Sequence, residues 1–330
     1  MAESSTDERS EHRRKIGSRA EQLDRERTAF ERGRVSRATL KRLALIGALY
    51  VGVLVAIYAT VAQTAGRTAF QILPVVIVIA FVFEGLDSSA GMGFGTALAP
   101  LLFILGYEPL QVVPILLLSE MMTGLVAGFV HHEFDNVHFE LDPSNEATKL
   151  VALFATIGSV AVFASIVLVY AAVELDTSLI KIYVGSVVVL MGVSGLIRVK
   201  IGTSATYRPK VLVGFALLAG VNKGIGGGGY GPVITLGQLF SGVYEKSATA
   251  ITTLSEGIVS LVGVVAFFLI TIHGVAIDPL LLPSVFVGGF LAAVLAPFFV
   301  RVVPNAVWRY VIPGYAFLIG VSAIVLGLDL

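Results

Sequence analysis

The chain has 330 residues, of which 56% are hydrophobic and 14% are charged, and its formal net charge is zero. A soluble domain usually carries about 25% charged residues, so this chain has too few charges to cover a surface that faces water. It contains no cysteine, which excludes disulfides, thiolate metal sites and cysteine nucleophiles. The composition indicates an integral membrane protein.

The charged residues are concentrated at the N-terminus. Residues 1–42 contain twelve Lys or Arg and eight Asp or Glu residues, which leaves eleven basic residues for the rest of the chain. Residues 1–38 are polar and rich in Arg and Glu, so we expect a solvated tail that is partly helical and otherwise disordered. The first apolar run begins near Leu40, which is too late for the apolar core of a secretory signal peptide.

Apolar runs follow one another from residue 40 onward. A helix needs roughly 20 residues to cross the hydrocarbon core, and most of the runs reach that length. The runs are 40–62, 70–90, 92–105, 110–131, 149–173, 179–198, 211–223, 229–241, 246–272, 279–300 and 304–328. Three of them, 92–105, 211–223 and 229–241, are short and adjoin a glycine cluster. The predicted fold is an all-α, polytopic membrane bundle with broken or re-entrant glycine-rich helices.

Basic residues set the expected orientation, because loops rich in Lys and Arg stay in the cytoplasm. The basic tail places the N-terminus inside the cell, at the cytoplasmic membrane. Counting crossings from there places the loops at 198–210 and near Arg301 inside as well. The acidic loop 131–149 also falls inside, and acidic residues contribute little to the rule. Its histidines and carboxylates match no metal-binding motif, so we interpret this loop as hydrated.

Two stretches of the chain resemble one another. The first has glycines in Gly91–Gly95, then Pro100, Tyr107-Glu108 and Leu118-Ser119-Glu120. The second has glycines in Gly224–Gly229, then Pro232, Tyr244-Glu245 and Leu254-Ser255-Glu256. The separation between the copies is 133 positions at the first glycine and 136 at the glutamate. We therefore expect loop insertions that put the copies out of strict register.

Each copy contains five apolar runs, or three crossings if the short runs form re-entrant hairpins. Both numbers are odd, so the second copy enters the membrane in the opposite sense. A duplicated apolar chain with glycine breaks is typical of a secondary transporter. The predicted parts are a polar tail at 1–38, an added transmembrane helix at 39–69, repeat one at 70–198, a basic cytoplasmic linker at 199–210 and repeat two at 211–330.

These motifs resemble those of the TauE/SafE family of sulfite exporter-like membrane permeases. The closer match is Gly224-Ile-Gly-Gly-Gly-Gly-Tyr-Gly-Pro232, and Gly91-Met-Gly-Phe-Gly-Thr-Ala-Leu-Ala-Pro100 is a looser one. The family's next motif is usually an apolar residue followed by Gly and Thr-Ser, whereas Leu-Ser-Glu stands in both copies here. The resemblance implies a transporter of sulfite, organosulfonates or related anions.

The glycine clusters are the first candidate site. Glycine lets the backbone leave a helix, and a half-helix that starts at such a break aims N–H groups and a positive dipole end at an anion. Close helix packing is the alternative use of these small residues. The candidate substrate-binding residues are Gly91, Gly93, Gly95, Ser119, Asn222, Lys223, Gly226, Gly227, Gly228, Thr253 and Ser255.

Lys223 is the most informative single residue. It lies roughly 18 Å into the run that begins at Val211, close to mid-membrane, at about 1.5 Å of rise per residue. A charge there is costly unless it is paired or hydrated, so we expect it to contact the anion or to pair with Glu256. Snorkelling of the flexible stem is the alternative.

Carboxylates also lie within the apolar runs. Glu120 and Glu256 lie near mid-membrane and are predicted to carry protons through the transport cycle, or else to form structural hydrogen bonds. Glu84 and Asp87 lie nearer the cytoplasmic end of their run, where they form an inner gate or reach the lipid headgroups.

The predicted function is a secondary permease for a small anion such as sulfite or a sulfonate, coupled to protons. The alternative is a cation or metal permease that uses Glu120 and Glu256 as ligands, although the ammonium of Lys223 would repel a cation. An intramembrane enzyme would need a nucleophile and a base at one depth, and no histidine lies in the interior of an apolar run. We expect no enzymatic activity, no cofactor and no nucleic-acid partner. The expected partners are the anion and the lipid bilayer, and homo-oligomerisation is left open.

Overall fold

The structure is a computed structural model that describes residues 16–64, 71–92, 94–107, 109–172, 177–201, 209–272 and 280–328. The α-helices are Ser18–Glu26 (α1), Ala29–Arg32 (α2), Arg37–Thr64 (α3), Pro74–Ala90 (α4), Ala99–Ile104 (α5), Pro109–Glu133 (α6), Glu146–Val167 (α7), Thr177–Ile201 (α8), Pro209–Gly226 (α9), Tyr230–Phe240 (α10), Glu245–Ile272 (α11), Leu282–Val302 (α12) and Asn305–Gly327 (α13). Phe94–Leu98 and Leu168–Ala172 are π-helical turns.

Six stretches of these helices are long and apolar enough to cross a membrane. They are Arg37–Ala56, Leu110–Glu133, Glu146–Tyr170, Glu245–Ile270, Leu282–Val302 and Asn305–Val325. The prediction of an all-α, polytopic membrane protein is confirmed.

The two copies are in strict register around the glycine clusters. Helices α4 and α9 each end one residue before a glycine of positive φ, Gly91 at 70° and Gly227 at 71°. Gly106 at 91° and Gly242 at 82° repeat the pattern after α5 and α10. Both glycine pairs, like the two Leu-Ser-Glu motifs, are separated by 136 positions. Chain reversal at these points requires a left-handed backbone that glycine adopts without strain.

The drift in register expected between the glycines and the glutamates is therefore wrong. Gly91 is equivalent to Gly227 and not to Gly224, because Gly224 lies inside α9. A run of adjacent glycines can be aligned with the first cluster in several ways. Only the backbone conformation shows which alignment is correct. Asp87 and Lys223 become equivalent as a result. The carbonyl of each accepts the N–H of the glycine four residues later, at 2.6 Å and 2.8 Å.

Helix packing shows that the repeat is inverted. A Cβ added at Gly185 would lie 3.0 Å from Ala323, and one added at Gly195 would lie 2.6 Å from Pro313. The equivalent helices α8 and α13 are thus antiparallel. Each contact between the halves also has an equivalent in which the two halves exchange roles. Helix α4 packs on α12 as α9 packs on α7, and helix α6 packs on α12 as α11 packs on α7.

The described part of the tail, which begins at residue 16, contains helices α1 and α2. Asp24 forms ion pairs with Arg32 and with Lys246, the latter at 2.7 Å. The Tyr244 hydroxyl donates to the same carboxylate at 2.7 Å, and burial raises the pKa of Tyr244, so it remains a donor. Ile16 packs in the main core cluster. These contacts anchor the tail to the start of α11.

The domain boundaries remain predictions. Helix α8 continues to Ile201, and residues 202–208 of the expected linker lie outside the described residues.

The interpretation of 131–149 as a hydrated loop is wrong at its start. Helix α6 continues to Glu133, and His131 is fully buried. The Nε2 atom of His131 lies 2.9 Å from the carbonyl oxygen of Ser88, and its Nδ1 lies 3.0 Å from Nδ2 of Asn136. A carbonyl only accepts, so Nε2–H donates and Nδ1 accepts from the amide. The buried histidine connects the end of α6 to α4.

Candidate transport site

Lys223 forms ion pairs with two glutamates at the centre of the bundle. Its Nζ lies 2.5 Å from Oε2 of Glu120 and 2.8 Å from Oε1 of Glu256. The three side chains are 0%, 3% and 7% exposed respectively, so Lys223 does not snorkel outward. Glu120 comes from the first half, whereas Lys223 and Glu256 come from the second. The triad therefore joins the halves through charges that are costly to bury unpaired.

The two glycine clusters contact each other directly. The N–H of Gly95 donates to Oε1 of Glu120 at 3.1 Å, and Gly95 packs against the carbonyl of Gly227. A Cβ on Gly228 would lie 2.6 Å from the backbone N of Thr96. Close packing, one of the two uses that the sequence allowed for these glycines, is thus observed, and their role in binding a substrate stays a prediction.

Hydrogen bonds fix this junction. Gly229 caps the start of α10 at φ 81°, and its N–H donates to Oγ1 of Thr96 at 2.6 Å. Thr235 donates to the carbonyl of Gly91 at 2.8 Å. Gly226 is half-buried at the end of α9, and Gly93 lies outside the described residues.

The remaining predicted residues divide into two groups. Ser119 and Asn222 are fully buried, and no hydrogen-bond partner is recorded for the Ser119 hydroxyl or for either amide atom of Asn222. Thr253 donates to the carbonyl of Thr249 at 3.0 Å, so its hydroxyl proton is used within α11. The Ser255 hydroxyl likewise donates within α11, to a carbonyl at 2.9 Å.

Glu84 and Asp87 are buried beside the triad, so the interpretation that they reach the headgroups is wrong. Glu84 accepts from the hydroxyl of Ser88 at 2.7 Å and from that of Thr123 at 3.0 Å. The Oδ1 of Asp87 accepts from the backbone N–H of Phe94 at 3.3 Å. The helical rise along the run predicted that both residues lie near the cytoplasmic end. That end of α4 is instead the helix break at the centre of the bundle.

The site holds more acidic than basic groups. Asp87 interacts electrostatically with three carboxylates, those of Glu84, Glu120 and Glu256, and with the ammonium of Lys223. One ammonium balances one carboxylate, and uncompensated charge is costly in a dry interior. The carboxylates that Lys223 does not neutralise therefore need protons or a cation to offset their charge. Such a cluster is suited to binding or releasing a small ion.

Sequence reasoning also missed Tyr230. Its ring lies 5.7 Å from Nζ of Lys223, and its hydroxyl is 3.4 Å from both the Phe154 carbonyl and the Ser255 hydroxyl. The available signal was its position directly after the second glycine cluster, where Phe94 is the equivalent residue of the first.

Comparison with known proteins identifies the family. The model of the family described as Sulfite exporter TauE/SafE matches residues 75–323. The chain is 25% identical over 260 residues to the Probable membrane transporter protein YtnM of Bacillus subtilis (strain 168), covering 75% of this chain and 82% of that protein. No solved structure matches the chain. The matched range contains both halves of the repeat and the Lys223 triad, and the chain belongs to the sulfite exporter TauE/SafE family of membrane transporters.

Proposed function

We propose that this membrane permease carries a small anion, such as sulfite, a sulfonate or a related sulfur oxyanion, and couples its movement to protons. The observation that supports an anion is Lys223, a buried ammonium at the junction of two glycine breaks. Two glutamates hold it from opposite halves, at 2.5 Å and 2.8 Å. An ammonium in such a position is a functional site by default.

Protonation is the step that would make Lys223 available. A proton added to a carboxylate oxygen of Glu120 or Glu256 removes the negative charge that holds the ammonium. An oxyanion then replaces that carboxylate as the acceptor of the Lys223 N–H. When the anion leaves, the carboxyl O–H bond breaks, the proton leaves and the ion pair re-forms. One proton accompanies one negative charge, so the buried site stays balanced.

The glycine junction supplies further attraction for an anion. Helix α10 begins at this junction, and the first N–H groups of a helix lack partners within it. The positive end of the helix dipole lies at the same place. Asn222, whose amide has no recorded partner, adds a donor next to Lys223. These groups attract an oxyanion without adding a second buried cation.

We place the N-terminus on the cytoplasmic side of the cell membrane. Arg19 forms an ion pair with Asp135 at 3.0 Å, and Arg42 forms one with Glu133 at 3.1 Å. The tail and the loop after α6 thus lie on one face. Arg301 donates to the tail as well, at 3.3 Å. Basic residues gathered on one face favour the cytoplasmic side.

Flux in proteoliposomes tests the proposal. We expect wild type to take up sulfite when a pH gradient is imposed, and Lys223→Ala and Glu256→Gln to lose that uptake. Lys149→Ala is the control, because Lys149 is an exposed residue paired with Glu146 at 2.9 Å. Unchanged sulfite flux in both site variants would overturn the site.

A cation or metal permease is the second candidate, and the excess of carboxylates at the site favours it. Within the described residues, no group of three His, Asp or Glu is arranged to hold a metal ion. Thermal unfolding with added ions separates the candidates. Stabilisation by sulfite that is lost in Lys223→Ala supports the anion. Stabilisation by a divalent metal that is lost in Glu120→Gln supports the cation.

A further inference from the structure

We propose that Asp87 binds and releases a proton in each transport cycle, as the first half's counterpart of Lys223. The inference rests on the proposed proton-coupled anion transport and adds a residue to it. Neither the glycine motifs nor the Leu-Ser-Glu motifs include Asp87.

The internal repeat supports the first step. Asp87 and Lys223 each lie four residues before a capping glycine of positive φ, and each accepts that glycine's N–H through its carbonyl. Equivalent positions of an inverted repeat face one central region from opposite sides. The repeat therefore places an acid opposite the base at the same site.

Hydrogen bonding distinguishes Asp87 from the other carboxylates. Glu120 and Glu256 share the ammonium of Lys223, and Glu84 accepts from two hydroxyls. Asp87 forms no salt bridge among the described residues, and the one hydrogen bond recorded for its carboxylate is the 3.3 Å contact from Phe94. It is also buried, at 5% exposure. A carboxylate held this loosely is free to change its protonation state without breaking an ion pair.

The titratable groups around Asp87 come from five helices. On its own helix Glu84 lies one turn away, and α6, α9 and α11 contribute Glu120, Lys223 and Glu256. From α13 the Tyr315 hydroxyl interacts with Asp87 and has no recorded hydrogen-bond partner. Residues 282–300 of α12 include no titratable side chain. His131 approaches from α6 through the Ser88 carbonyl. Lys223 is thus the only ammonium among these groups.

Anion binding then requires a proton at Asp87. An anion bound to Lys223 neutralises the one positive charge that otherwise offsets the neighbouring carboxylates. A proton entering from water forms an O–H bond on Asp87 and removes one negative charge. Release of the anion returns Lys223 to the glutamates, the O–H bond breaks, and the proton leaves on the same side as the anion.

Two flux measurements in proteoliposomes test Asp87→Asn. The first is exchange of labelled sulfite at equal pH, and the second is uphill uptake driven by one unit of pH difference. Each coupled proton drives about tenfold accumulation for such a gradient. We expect Asp87→Asn to exchange sulfite while its accumulation falls about tenfold below that of wild type, because Asn keeps an acceptor for Phe94 but carries no proton. Asp87→Glu should restore accumulation.

The outcomes separate the two proposals. Wild-type accumulation in Asp87→Asn would overturn the role of Asp87 and leave the permease proposal intact. Absence of any sulfite flux in wild type would overturn the permease proposal and this inference with it. If Asp87→Asn does not fold, the pH profile of exchange by Asp87→Glu decides. A profile shifted from that of wild type supports Asp87, and an unchanged profile overturns it.

Discussion

Thr96 accepts the N–H of Gly229 at 2.6 Å, and this one hydrogen bond connects the helix break of the first half to that of the second. Both residues are buried. The bond forms only because Gly228 brings its backbone into direct contact with Thr96. The junction between the halves is thus a backbone contact that Thr96 supports as a side-chain acceptor and Thr235 as a side-chain donor.

Thr96→Val should destabilise the protein. Valine keeps the shape of threonine but leaves the Gly229 N–H buried and unpaired, at a cost of about 1–3 kcal/mol. Thermal unfolding in detergent measures the change. Thr253→Val is the matched control, because the Thr253 hydroxyl donates within its own helix and its loss should leave stability nearly unchanged. Equal stability losses in the two variants would contradict the assignment.

Gly228→Ala should abolish sulfite flux. The added Cβ would lie 2.6 Å from the backbone of Thr96, and backbone on both sides leaves no flexible group to move aside. Gly214→Ala is the control. A Cβ there meets nothing within 4 Å, and alanine in a helix gains about 0.5–1 kcal/mol over glycine. Normal flux in Gly228→Ala would show that transport does not require the close contact between Gly228 and Thr96.

Lys223→Met should destabilise the folded protein by about 3–5 kcal/mol, because two buried carboxylates lose their shared cation. The triple variant Lys223→Met, Glu120→Gln, Glu256→Gln should recover most of that stability and still transport no anion. Chemical unfolding of the three proteins measures the differences. A triple variant no more stable than Lys223→Met would mean that the ion pairs do not account for the loss.

Asn222→Leu should reduce transport without reducing the stability of the protein. Neither amide atom has a recorded partner, so an apolar side chain of similar size should be neutral or stabilising. If the amide meets the anion, sulfite flux should fall severalfold while the unfolding temperature holds or rises. Full flux with raised stability would remove Asn222 from the site.

Asp24→Asn should loosen the tail. Asp24 pairs with Arg32 and Lys246 and accepts from Tyr244, so its loss leaves Lys246 buried with no carboxylate among its recorded partners. We expect faster proteolysis within α1 and lower thermal stability. Glu26→Gln, an exposed change in the same helix, should alter neither. Equal proteolysis rates would show that other contacts hold the tail.

The sequence alone was enough to predict the membrane class, the helical fold, the inverted repeat and the family. The apolar runs reveal the membrane class and the helices, because the length of a membrane-spanning helix is set by the thickness of the bilayer. The odd number of runs in each copy reveals the inversion, and neither argument requires knowledge of how the helices pack. Lys223 could also be singled out, since a charge deep in an apolar run is rare.

The sequence could not provide the register of the repeat or the contents of the site. Adjacent glycines made Gly224 and Gly227 interchangeable, and only the positive φ of Gly227 distinguishes them. The error concealed the equivalence of Asp87 and Lys223. His131 was missed because it is the last residue of its apolar run and adjoins the polar stretch that follows.

The two glutamates that hold Lys223 differ in their remaining hydrogen bonds. Glu120 accepts the N–H of Gly95, whereas Oε2 of Glu256 has no partner among the described residues. One such bond is worth about 0.5–1.5 kcal/mol, so the two carboxylates are held unequally. Of the two glutamates that share Lys223, Glu256 is thus the freer to exchange its partner.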